Sequence, residues 1–147
     1  MTKIYLDTCC LNRPFDDQTQ ERVRLESEAV LAILSRIEKD EWDWIGSEVL
    51  SDEIGQIPDL QKLSRAKLLS GFIQQKVEIG EVETERAKKL HKEGFQVFDA
   101  LHIACAESAK VDAFLSTDDR LLKLAKRLSN KLRVRVENPL LWVEEMI

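Results

Sequence analysis

KIYLDT (residues 3–8) is an apolar run that closes on a carboxylate, and AFLSTDD (113–119) repeats the pattern near the other end of the chain. Each reads as a short buried strand carrying an aspartate at its carboxyl tip, Asp7 in the first and Asp118 or Asp119 in the second. Aspartate is common where strands stop, because its short polar side chain bonds back to the nearby backbone. One such residue is a turn. Two at equivalent places raise the question of whether they meet.

Outward from these two stretches, short apolar strands alternate with helices. Residues 20–39 place Val23, Val30, Ile33, Leu34 and Ile37 at helical spacing, which predicts a long helix. WDWIG (42–46) is a second strand, followed by a short helix in SEVLSDEIGQI that Ser47 caps and Gly55 and Pro58 end. A helix over 60–75, a strand around KVEIG (76–80) and a helix stopping at Gly94 come next. FDALHIACAESAK (98–110) is a helix of small residues, able to lie close against a sheet. After strand AFLST (113–117) come a helix in DDRLLKLAKRLSN, a strand RVRV (133–136) and a closing helix with Pro139 in its first turn. The alternation predicts an α/β chain, a three-layer α/β/α sandwich around a central, mostly parallel sheet. Ligands of such sheets bind beyond the carboxyl ends of the strands, where strand order reverses.

The 147 residues suffice for one domain with its own core, and the whole chain is expected to form it. No apolar run approaches the roughly 20 residues that span a bilayer, and no basic-then-apolar leader opens the chain, so a cytoplasmic location is expected. Cys9, Cys10 and Cys105 are odd in number and lack CxxC spacing, which predicts free thiols rather than disulfides or zinc. The net charge of −5 is uneven: residues 1–60 carry 14 acids and 6 bases, residues 61–147 carry 13 acids and 16 bases. Residues 120–135 hold seven bases and no acid, a strip suited to a polyanion if it is more than a solvated helix face.

Other acids stand where they can join Asp7. Asp99 opens the small-residue helix, and Glu53, with Glu48 and Asp52 near it, lies in the helix after WDWI. Each has a plain alternative, as helix cap for Asp99, Asp118 or Asp119 and as surface residue for Glu53. A cluster of carboxylates in one cleft persists only if cations neutralise it, and all-oxygen donors select Mg²⁺ or Mn²⁺ over zinc. His102, three residues after Asp99, reads as a packed or hydrogen-bonded helix residue, with a metal ligand or general base as the alternative, and His91 as surface; no Ser-His or Cys-His pair supports acyl chemistry.

IYLDT (4–8), SEVLSDEI (47–54), FDALHIACAESA (98–109), FLSTDDRLLKLA (114–125) and VENPLLWVEEM (136–146) together resemble the PIN-domain family, metal-dependent ribonucleases that include toxins of bacterial toxin–antitoxin pairs. The resemblance implies that Asp7, Glu53, Asp99 and Asp118 hold Mg²⁺ or Mn²⁺, with Asp119 the competing choice at the last place. It implies Ser116 as a hydroxyl orienting phosphate or water, and cleavage of RNA to 5′-phosphate and 3′-hydroxyl ends. It further implies a homodimer and an antitoxin partner. One departure stands out: where the family often carries Asn or Ser after the first Asp-Thr, this chain has Cys9, leaving Thr8 or Asn12 to substitute. Arg13 is either a phosphate contact or the partner of Asp16 or Asp17. The rival readings are a catalytically weak RNA- or partner-binding scaffold and a receiver-type phospho-acceptor. The second lacks its adjacent acidic pair, since Thr8 and Cys9 follow Asp7.

Overall fold

The computed structural model describes residues 1–147. Strands β1 (Thr2–Leu6), β2 (Trp42–Ser47), β3 (Gln75–Val77), β4 (Ala113–Leu115) and β5 (Val136–Glu137) form one all-parallel sheet in the order β3-β2-β1-β4-β5. Helices α1 (Thr8–Asn12), α2 (Glu21–Glu38), α3 (Glu48–Gly55), α4 (Leu60–Leu69), α5 (Glu81–Lys92), α6 (Val97–Ser108), α7 (Asp119–Arg127) and α8 (Pro139–Met146) complete the α/β/α sandwich. The chain builds from central β1 outward through β2 and β3, then crosses back to add β4 and β5. The reversal lies between β1 and β4, where Leu6 pairs with Leu115, so the residues after each emerge side by side.

Local chemistry explains the elements. Ile4, Tyr5 and Leu6 are fully buried, as a strand covered on both faces requires. Ala100, Ala104, Cys105 and Ala106 give α6 a low buried surface against the sheet. Ser47, Asp59, Asp118 and Asn138 cap α3, α4, α7 and α8 by accepting first-turn N–H bonds. Gly94 (φ +120°) lets the chain turn out of α5 in a conformation that side chains resist.

Beneath the sheet's end sits a buried acid, Glu26, which accepts from Arg13 Nε (2.9 Å), Arg22 Nε (3.2 Å) and Asn138 Nδ2 (2.5 Å). Arg22 reaches on to Asp119 through two 2.6 Å bonds and to the Thr117 carbonyl at 3.2 Å. This network ties α2 to α8 and to the turn that follows β4.

Several boundaries differ from expectation. The fifth strand is Val136–Glu137 rather than 133–136, because Arg133 N donates to the Glu107 carboxylate (2.8 Å) instead of a ladder partner. The helix predicted over 60–75 ends at Leu69 and passes through a 3₁₀ turn at Ser70–Phe72 before β3. AFLST is strand only to Leu115; Ser116 and Thr117 belong to the turn. The short α1 was not foreseen, since its start depends on Asp7 capping Thr8 N (2.8 Å) rather than on apolar periodicity.

Candidate active site

At the reversal point the backbone of Asp7 donates to Leu115 O (2.9 Å), joining the tips of β1 and β4. Its Oδ2 accepts from Ser116 Oγ (2.8 Å), and that same Oγ accepts the Asp118 N–H (3.1 Å). One hydroxyl therefore fixes the two strand-end acids. Asp118 Oδ1 caps α7 through Arg120 N (3.0 Å) and Leu121 N (3.4 Å), leaving Oδ2 without a protein partner.

Glu53 enters from α3. Its Oε1 accepts from Thr8 Oγ1 (2.9 Å) and is hydrogen-bonded to Nε2 of His102. His102 is fully buried on α6, one turn beyond Asp99, and its Nε2 stands 4.0 Å from Asp7 Oδ1. Ligand atoms of Asp7, Glu53 and His102 lie within 4.8 Å of one another. On its other side, His102 Nδ1 meets the Tyr5 hydroxyl (2.6 Å), which lies 2.5 Å from Ser47 Oγ. Ser47 caps the helix that carries Glu53. A buried chain, Ser47–Tyr5–His102–Glu53, thus begins at the cap of α3 and ends on that helix.

The structure sorts the remaining candidates. The carboxylate of Asp119 is exposed and held by Arg22 through both oxygens. Glu48 accepts Ile79 N (3.2 Å) and Asp52 is exposed, which leaves Glu53 as the α3 acid in the cluster. Arg13 is bound to Asp16 and Glu26, not aimed at the site. Thr8 does enter it, through Glu53. Cys9 lies in the site as well: its Sγ is 3.5 Å from Asp7 Oδ2 and 3.4 Å from Ser116 Oγ, and it accepts Thr117 N (3.4 Å). His102 is packed and hydrogen-bonded as the sequence reading has it; what sequence reasoning missed is the engagement of Tyr5 and the pairing of His102 with Glu53. The signal was present: His102 follows Asp99 by three on a helix, and Tyr5 precedes Asp7 by two along an extended segment, spacings that put each pair on one side.

A family model described as PIN domain matches residues 4–127, a span that contains all four acids. The chain belongs to the PIN-domain family. PIN domains are generally nucleases. Two solved structures share the fold. VapBC2 from Rickettsia felis, bound to a DNA fragment from its promoter, is similar over 93% of this chain and 98% of its own, with TM-score 0.58 and 10% identity. PAE2754 from Pyrobaculum aerophilum is similar over 99% and 91%, with TM-score 0.55 and 13% identity. No curated protein matches the sequence. No helix is long and apolar enough to cross a membrane.

The electrostatics of this PIN domain are those of a site short of positive charge. Burial raises the Asp7 carboxyl, an effect that His102 and Ser116 only partly offset. Burial, then the charges of Asp7 and Asp118, push Asp99 from 3.8 up to about 6. Glu53 is held below its ordinary range: burial raises it, but the hydrogen bond and charge of His102 prevail. His102 is raised, burial opposing and Glu53 and Asp7 favouring its charged form. No Lys or Arg pairs with Asp7, Glu53, Asp99 or Asp118. Oxygen-rich donors left without a Lys or Arg partner fit a hard divalent ion.

A pH dependence follows. Asp99 and Asp7 bind protons more readily folded than unfolded, so in the metal-free protein their contribution to stability falls with rising pH, that of Asp99 between about 4 and about 6. A divalent ion competes with those protons, so it binds more tightly above that window. The rise in melting temperature produced by Mn²⁺ is expected to be small at pH 5 and to grow through pH 6 to pH 7.5; a flat dependence across that range would contradict the shifts.

Proposed function

We propose that this PIN domain is a metal-dependent endoribonuclease, the toxin of a type II toxin–antitoxin pair, that hydrolyses RNA phosphodiesters to 5′-phosphate and 3′-hydroxyl ends. The observation that carries the reading is the gathering of Asp7, Glu53 and His102 at the strand-order reversal, with Asp99 and Asp118 close enough for their charges to act on one another and no Lys or Arg paired with any of the four acids. In this reading those four residues hold Mg²⁺ or Mn²⁺. Such an ion, when bound, lowers the pKa of coordinated water and stabilises charge on phosphate oxygens. The protein's own residues do the positioning. Ser116 holds Asp7 at a fixed place relative to the Asp118 backbone. Thr8 and His102 aim Glu53 and keep it ionised.

The antitoxin and homodimer readings follow from family membership, and the exposed apolar side chains Leu60, Leu68 and Phe72 suit a protein partner. Cys9 favours the second reading, a catalytically weak scaffold, because a thiol is a poor partner for water on a hard ion. Two parallel measurements separate the readings: calorimetric titration with Mn²⁺, and incubation of a mixed RNA pool with the same ion. Metal binding with fragments that a 5′-phosphate-dependent exonuclease degrades is the expected result. Binding without cleavage would favour the scaffold, and 2′,3′-cyclic phosphate ends would exclude the hydrolysis proposed.

A further inference from the structure

We infer that Arg22 is a positioning residue of the candidate active site: anchored on buried Glu26, its guanidinium grips the chain on both sides of Asp118 and fixes that acid for metal binding. The inference rests on the reading of Asp118 as a metal ligand. It adds a residue from α2, a helix that carries none of the four acids. Of those four, Asp118 alone is exposed, and its side chain is bonded only to the first turn of α7, through Arg120 N and Leu121 N. Its place is therefore set by the backbone that carries it.

Two side chains hold that backbone. Ser116 Oγ accepts the Asp118 N–H (3.1 Å) and donates to Asp7 Oδ2 (2.8 Å). Arg22 Nη2 donates to the Thr117 carbonyl (3.2 Å), while Nη1 and Nη2 each reach one oxygen of the Asp119 carboxylate at 2.6 Å. One guanidinium thus binds residues 117 and 119, the immediate neighbours of Asp118. Its planar fork of N–H donors holds both partners in fixed directions, which the point charge of an ammonium does not.

Arg22 is itself held. Its Nε donates to Glu26 Oε2 (3.2 Å), one helical turn along α2. Glu26 is 1% exposed, and a carboxylate so buried persists only where hydrogen bonds satisfy it. Asn138 Nδ2 donates to the same Oε2 (2.5 Å), and Arg13 Nε to Oε1 (2.9 Å). Arg13 opens the 3₁₀ turn Arg13–Phe15 that follows α1, the helix that begins directly after Asp7, and Asn138 directly follows β5. Glu26 thereby joins the segments that leave β1, β4 and β5, with Arg22 as its arm to the one that bears Asp118.

Charge gives the inference a sign. Removing Arg22 alone frees the Asp119 carboxylate beside Asp118, which by charge alone would draw a cation more strongly. Loss of positioning acts the opposite way. The test is calorimetric titration with Mn²⁺ of the wild type, Arg22→Ala and Arg22→Ala/Asp119→Ala, the last removing both charges and leaving their sum unchanged. Both variants are expected to bind Mn²⁺ about tenfold or more weakly, the scale on which losing a side chain that orients a metal ligand acts. Arg22→Lys should recover only part of that loss. Hydrogen exchange of the metal-free protein supplies a second readout, which a general loss of stability would not imitate. In Arg22→Ala the amides of Thr117, Asp118 and Leu122 should exchange about tenfold faster, while those of Ile4 and Leu6 in β1 keep their wild-type rates.

Tighter Mn²⁺ binding by Arg22→Ala, or unchanged affinity in both variants, would overturn the inference; unchanged affinity with a raised KM for RNA would make Arg22 a substrate contact instead. Exchange that quickens evenly across the sheet would also overturn it, because Arg22 would then serve the fold as a whole. A wild type that binds no Mn²⁺ would sink the metal-nuclease reading. The exchange rates need no ion, so they would still decide whether Arg22 holds the turn.

Discussion

Asp99→Asn combined with Asp7→Asn is expected to abolish Mn²⁺ binding by calorimetry and to lower RNA cleavage about a thousandfold or more, the scale on which removing preorganised electrostatic groups acts. The same exchange at Asp99 alone should raise, not lower, the melting temperature of the metal-free protein at neutral pH. Asp99 is held against burial and against the charges of Asp7 and Asp118, and a neutral side chain of the same shape relieves both. Opposite movements of stability and function mark a group kept for its chemistry at a cost to the fold. If cleavage survives the double change, the acids do not form the active site. If Asp99→Asn melts below the wild type, the repulsion argument fails.

His102→Ala is expected to weaken Mn²⁺ binding and cleavage by about ten- to a hundredfold, the usual consequence of losing a side chain that orients a metal ligand. The loss acts through Glu53. Without the Nε2 partner the Glu53 carboxyl should titrate higher, so the deficit in metal affinity should be larger at pH 5 than at pH 8. A residue that merely fills space would give a deficit independent of pH. His102→Gln retains an N–H donor and should recover part of the affinity. Recovery equal to that of His102→Leu would show that packing alone matters, because the leucine keeps the volume but offers Glu53 nothing.

Both results bear on how much of the site can be read from the chain. The strand ends at Asp7 and Asp118 were legible because an apolar run, a carboxylate and a following helix are local features with local causes. The cap at Ser47 and the stop at Gly94 were legible for the same reason: each satisfies or frees backbone groups within a few residues. The helix at Thr8–Asn12 was not, because five residues carry too little periodicity to announce a helix. The fifth strand slid because the N–H of Arg133 found the Glu107 carboxylate, a partner 26 positions away.

The choice between neighbouring acids came only from the family resemblance, since nothing in the chemistry of the residues themselves makes it. Asp118 and Asp119 are chemically identical and adjacent. What distinguishes them in the fold is the reach of Arg22 from α2, itself anchored by buried Glu26, which binds the Asp119 carboxylate, while the Asp118 N–H donates to Ser116 Oγ. Glu48 and Glu53 are separated in the same way, by Ile79 N on one side and by Thr8 and His102 on the other. His102 could be placed on the face of Asp99 by spacing, yet its pairing with Glu53 and Tyr5 depends on three elements meeting. By itself the sequence determined the alternation of strands and helices, the acids that end the strands and the free thiols. Which carboxylates converge, which are neutralised elsewhere and which cations stay free were decided by tertiary structure, since hydrogen bonds and ion pairs between distant segments exist only once strand order brings those segments together.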